Sequence, residues 1–132
     1  MKGCYILLTH LDNGAAIDIG RLGTLRFERG YYAYVGSAMN GLEQRISRHL
    51  RTEKRMWWHI DYLLQRTRIT GVYTKESEDR EECLISERLS RKYEAIAHFG
   101  SSDCRCKGHL FRIREADELI AELKMCGFEK YG

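Results

Sequence analysis

The sequence predicts an α+β fold: a small, mainly antiparallel β-sheet flanked by helices, with an extra N-terminal hairpin. Three observations lead there. Between Gly3 and Gly36, short apolar or alternating runs are punctuated by Gly and Asn, the pattern of strands and hairpins. From Leu42 onward, apolar residues recur at helical spacing. The 132 residues, 43% hydrophobic and 31% charged, fill one domain with a core and leave little room for two. We therefore read residues 1–132 as a single domain.

The elements follow in order. Gly3–Thr9 is short and apolar, a buried strand. Asp12-Asn13-Gly14 is a turn signal. Ala15–Ile19 and Leu22–Phe27 alternate around Gly20-Arg21, which predicts a hairpin that either extends the sheet or shields one edge. Tyr31–Gly36 is an aromatic-rich strand, and Asn40-Gly41 turns the chain. Leu42–Arg51 is a helix with Leu42, Ile46, His49 and Leu50 on one side. Arg55–Arg66 is a second helix, with Met56, Ile60, Leu63 and Leu64 inward. Ile69–Thr74 is a strand and Glu78–Tyr93 a charged amphipathic helix. Phe99–Gly108 is a loop, Leu110–Ile113 the last strand and Glu115–Met125 the last helix. Early hairpins and later helices argue for segregated α and β elements.

Composition narrows the class. The hydrophobic and charged fractions exclude disorder and low complexity. The longest apolar runs, such as Cys4–Leu8, are too short for a bilayer. The chain turns polar at Thr9, before a secretory core could form. Five cysteines without a scaffold pattern read as reduced thiols. The expectation is a cytoplasmic protein with no membrane association.

Charge is uneven. Gly41–Arg68 holds seven Lys/Arg against three acids, a net of +4 within a chain of net +3. Glu76–Glu94 nets −3. A local basic zone is the footprint of a polyanion partner, and Arg48, Arg51, Lys54 and Arg55 are its candidate nucleic-acid contacts. A solvated helix face with internal pairs is the competing reading.

Motifs sharpen the functional reading. Gly3-Cys4-Tyr5 lies on the first strand. Tyr34-Val35-Gly36 closes a later one, and Arg45 and His49 follow one turn apart on a helix. This set resembles the GIY-YIG nuclease superfamily. Gly30–Ala38, Trp58–Leu63, Glu82-Cys83 and Phe99–Cys106 look like one uncharacterised, mostly archaeal branch of it, found free-standing or fused to repair-related domains. The resemblance covers nearly the whole chain. It implies metal-dependent cleavage of nucleic-acid phosphodiesters, in DNA repair or processing, with one Mg²⁺ or Mn²⁺ ion. DNA is expected ahead of RNA, and a partner protein or homodimer is compatible with it. The implied catalytic residues are Tyr5, Tyr34, Arg45, His49 and Glu82. A non-catalytic nucleic-acid-binding or protein-interaction module on the same fold is the alternative. The Tyr5–Tyr34 interval is longer than the family's usual short hairpin, which leaves open whether Tyr5 reaches the site.

The chemistry suits these residue types. Phosphodiester cleavage needs an in-line nucleophile and neutralisation of phosphate charge. Arg45 offers a fork of donors, His49 a proton donor or an orienting group, and one of the two tyrosines a base. The metal carboxylate is implied on the third helix. With Ile85, Leu89, Tyr93 and Ile96 marking its inner arc, Glu82 leans inward and Glu87 outward; Glu81 stands in reserve.

Two further clusters remain. Cys104-Arg105-Cys106 with His109 offers three zinc ligands, with Cys83 or His98 as a fourth. Packed, reduced thiols are the plainer reading, and Ser101, Ser102 and Asp103 are candidates for a polar loop at the mouth of the site. Trp57-Trp58 on a helix would split into one core and one exposed indole, the latter able to stack on a base.

Overall fold

The computed structural model describes Met1–Gly132 throughout. A central strand, β1 (Gly3–Leu11), organises the molecule. The chain continues through β2 (Ala15–Asp18), β3 (Thr24–Phe27), β4 (Gly30–Ala38), α1 (Leu42–Leu50) and α2 (His59–Leu64). Then come β5 (Arg68–Glu76), α3 (Glu82–Ser90), β6 (Glu94–Ala95), β7 (Leu110–Ile113), α4 (Ala116–Met125) and β8 (Glu129–Lys130). Six strands form one sheet in the order β6-β7-β4-β1-β5-β8, and every pairing in it is antiparallel.

Alternation along β1 sends its side chains to two cores. Tyr5, Leu7 and Leu11 pack with Ile46 of α1 and with Ile60 and Leu63 of α2. Cys4, Ile6 and Leu8 pack with Ile85 and Leu89 of α3 and with Leu119 and Leu123 of α4. A strand covered on both faces must be apolar at successive positions, which is why β1 reads as a continuous run. No helix is long and apolar enough to cross a membrane.

The hairpin does not extend the main sheet. β2 and β3 form a separate two-stranded sheet, joined through a 3₁₀ turn at Gly20–Leu22. Ile17, Ile19 and Phe27 enter the α1/α2 core. Gly20 has a positive φ of 59°, and a Cβ there would meet the Tyr62 ring at 2.9 Å, so the hairpin seats on α2 only with glycine at that corner.

Several boundaries differ from expectation, and side-chain hydrogen bonds explain the largest differences. The second helix starts at His59, not Arg55. Asp61 Oδ2 accepts the Trp57 and Trp58 amides at 2.8 Å each, and Arg48 donates to the Arg55 carbonyl. The segment's polar groups are thus satisfied without a helical turn. The third helix starts at Glu82, not Glu78. Ser77 bonds to Asp79 and Glu81, and Lys75 reaches Glu81, holding that stretch in a turn. Leu50, expected inward, is 52% exposed. Strands β6 and β8 have two residues each, too short to leave a pattern.

Candidate functional site

The site is built at a free sheet edge. β7 pairs with β4 from Tyr31 to Tyr34, and the last link is the Val35 amide to the His109 carbonyl at 2.9 Å. Beyond that point β4 has no neighbour on this side. The gap opens a polar cleft of about 280 Å³. Groups from both faces of the sheet meet there around the edge.

Tyr5 and Tyr34 enter from the sheet. Tyr5 lies opposite Gly36, and Tyr34 opposite Leu7, which sets the two rings 6.4 Å apart. The Tyr5 ring crosses directly over Gly36, so any Cβ at that position would collide with it. The glycine of the Tyr34-Val35-Gly36 run therefore makes room for the Tyr5 phenol. Despite the long interval between them, both tyrosines reach the cleft.

Helix α1 delivers the next two groups. His49 Nε2 and the Tyr5 hydroxyl share a buried hydrogen bond of 2.8 Å. Burial pushes the His49 imidazole down to about 3, so it is neutral. Burial likewise pushes the Tyr5 phenol up to about 12, against the pull of Arg45. Burial also holds Tyr34 well above the ordinary phenol range. Arg45 lies one turn before His49 and donates to the Ser37 carbonyl at 3.1 Å. Its guanidinium lies 4.6 Å from the centroid of the Trp58 ring.

Glu82 comes from the start of α3, on the other side of the sheet. Its carboxylate accepts a bond from the Ser37 hydroxyl, and Arg80 approaches at 3.5 Å. Ser37 thus links Glu82 to Arg45 through its two oxygens. Glu87 faces solvent and pairs with Arg91. Glu81 is engaged by Lys75 and Ser77 and does not line the cleft. Ser102 and Asp103 do line it, as a polar loop at the mouth would.

The basic zone divides into two kinds of residue. Arg48 is bound to the fold: both its terminal nitrogens bond to Asp61 at 2.9 Å, and the Asp61 side chain is wholly buried. Burial alone would raise the Asp61 carboxyl, but the Arg48 guanidinium and the Trp58 and Trp57 amides hold it below its ordinary value. Lys54 donates to the Arg48 and His49 carbonyls, closing the end of α1. These two cations, expected at a nucleic-acid surface, are instead spent on structure. Arg51 and Arg55 are exposed. A second depression of about 590 Å³ holds Arg21, Arg55 and Tyr62 and meets the cleft at Trp57, His59 and Ser102.

The tryptophans do not share a helix, yet they divide as expected. Trp57 is 71% exposed, and Trp58 packs against the core. His59 accepts the Gly100 amide at 2.9 Å and so ties α2 to the Phe99–Gly108 loop. Sequence reasoning singled out neither Arg80 nor Arg21 for this region. Both are lone cations without local pattern, and only the fold brings them to the rim.

Cys83, Cys104, Cys106 and His109 also converge, their ligand atoms all within 4.8 Å of one another. His98 is not in the group.

Residues 4–130 match the family model described as Domain of unknown function DUF123. The chain belongs to that family. The DUF123 match runs from β1 to β8, so it takes in both the cleft and the Cys/His group. No curated protein and no solved structure matches the chain.

Proposed function

We propose that this protein is a metal-dependent endonuclease of the GIY-YIG type, cleaving phosphodiester bonds in nucleic acid, with DNA ahead of RNA as substrate. One observation carries the reading. Tyr5, Tyr34, Arg45 and Glu82, from four separate elements, line one polar cleft, and His49 supports Tyr5 from behind. Core packing alone gives no reason for an arginine, a carboxylate and two phenols to converge at one open edge.

The cleft suits a hard divalent cation. Its carboxylates are Glu82 and Asp103, with the Ser37 and Ser102 hydroxyls in the same lining, and Mg²⁺ needs only one or two carboxylates because it keeps several waters. Bound at Glu82, such an ion supplies positive charge to the phosphate and an acidified water. The protein's own groups do the rest. Arg45 spends one N–H on Ser37 and presents the others to the phosphate. Tyr5, its hydroxyl held by the neutral His49 Nε2, orients the attacking water beside the phosphate. Trp57, Arg55 and Arg21 extend the path for a strand beyond the cleft, by stacking and by phosphate contact.

The test is cleavage of a panel of branched, damaged and single-stranded substrates with Mg²⁺ or Mn²⁺. Glu82→Gln should abolish cleavage while leaving the fold intact, and Glu87→Gln should stay within about twofold of wild type. Equal losses in the two variants would overturn the site. Binding without turnover on every substrate would establish the non-catalytic module instead.

A further inference from the structure

We propose that Cys83, Cys104, Cys106 and His109 bind one structural Zn²⁺ that fastens the Phe99–Gly108 loop to the start of α3. The site adjoins the cleft, which His109 also lines, and the inference does not depend on the proposed activity.

Geometry comes first. A tetrahedral zinc, with bonds of about 2.3 Å to sulfur and about 2.0 Å to nitrogen, sets ligand–ligand edges of about 3.3–3.8 Å. Cys104 Sγ and His109 Nε2 already stand 3.3 Å apart. The whole set lies within 4.8 Å, so closure takes shifts of about 1 Å or less. Three thiols and an imidazole form a soft donor set that selects zinc over Mg²⁺ or Ca²⁺.

The surroundings are arranged for a ligand. His109 is buried, and its Nδ1 bonds to the Ser86 hydroxyl at 2.6 Å. With Nδ1–H donating to Ser86, the Nε2 lone pair points at Cys104. This is how a metal-bound histidine is held in one tautomer. Ser86 sits on α3 one turn after Cys83, so one helix supplies both a ligand and the group that orients another.

Packed thiols explain the arrangement less well. Cys83, Cys104 and Cys106 belong to neither apolar core, and Cys83 is exposed. Between Ser101 and Cys106 the loop makes one backbone hydrogen bond, Cys104 to Ser101. Neither helix nor strand holds it, yet its thiols face α3. A bound zinc supplies the missing tie. Binding converts the three thiols to thiolates, releases their protons to solvent and leaves the site with a net charge of −1. The same loop carries Ser102 and Asp103 into the cleft, and Cys83 adjoins Glu82. The zinc would therefore fix one wall of the cleft through His109 and this loop.

Elemental analysis and native mass of the full chain, purified without chelator, should give one zinc per chain. Cys83→Ser and Cys104→Ser should lose it, while Cys4→Ser and Cys126→Ser should keep it. A strong chelator should lower Tm by about 10 °C or more. Because the ligand variants are exposed to misfolding, Co²⁺ titration of the wild-type apo-protein stands as an independent readout. It should give visible bands of a tetrahedral site and an intense near-ultraviolet thiolate-to-cobalt band. A zinc-free chain with no cobalt bands and unchanged melting in chelator would overturn the proposal. So would a disulfide among these cysteines in protein purified under reducing conditions.

Discussion

His49 shows how a single side chain couples the candidate chemistry to stability. Its imidazole is 2% exposed, its Nε2 is taken by Tyr5, and its Nδ1 has no partner. In the fold it stays neutral down to about pH 3, whereas unfolded it protonates near 6.5. Below that value the unfolded chain binds the extra proton. Stability should therefore be full above about pH 6.5 and fall as pH drops toward 3, by up to about 1.4 kcal/mol per pH unit. Urea midpoints measured across this range check the slope, and His49→Gln should remove much of it. An unchanged slope in that variant would place the acid sensitivity at another group; Asp61, whose carboxyl is lowered from 3.8, loses its stabilising effect only below that pH.

At the scale of elements, α1 and α2 act as one unit because of Asp61. Its two oxygens take the Arg48 fork and the amides that precede α2. The Arg48 guanidinium also lies 4.4 Å from the centroid of the Trp58 ring. Removing one member strands a buried charge. Asp61→Asn should cost about 3–5 kcal/mol. Asp12→Asn, at the exposed pair with Arg68, should leave stability nearly unchanged, because solvent screens such a pair. Denaturant unfolding of both variants makes the comparison. Equal small losses would show that the tie between α1 and α2 contributes little. A parallel tie joins α3 to α4, where Glu122 takes both Arg88 and Lys92.

For the whole molecule, the question is which cations act on a phosphate and which only attract the polymer. Arg45 sits in the cleft, while Arg51 is exposed outside it. Under the proposed activity, Arg45→Ala should lower single-turnover cleavage by about 10²-fold or more. Arg45→Lys should recover only part, since a point charge lacks the fork. Arg51→Ala should instead weaken binding, measured without metal, and flatten its salt slope by about one unit. Lys54→Ala should act chiefly on stability, because its ammonium closes α1. If Arg45→Ala behaves like Arg51→Ala and leaves cleavage intact, Arg45 belongs to the attracting surface alone.

The sequence by itself determined the class of fold, the central strand, the aromatic strand and the inward lean of Glu82. Each of these is a local property: apolar runs, alternation of period two, or an angle on a helix. It also marked Cys104, Cys106 and His109 as a group, and Cys83 or His98 as their fourth member. Only the tertiary structure chose Cys83, because α3 and the loop meet through contacts between residues far apart in the chain. The same holds for the cleft, which exists because β7 stops pairing at Tyr34 and leaves the end of β4 open. It holds again for Arg48 and Lys54, whose charges look alike in sequence to those of Arg51 and Arg55. Whether a cation faces solvent depends on whether a buried carboxylate or a helix end lies within reach. Asp61 sits thirteen positions from Arg48 in the chain, and no local pattern reports a pairing of that kind.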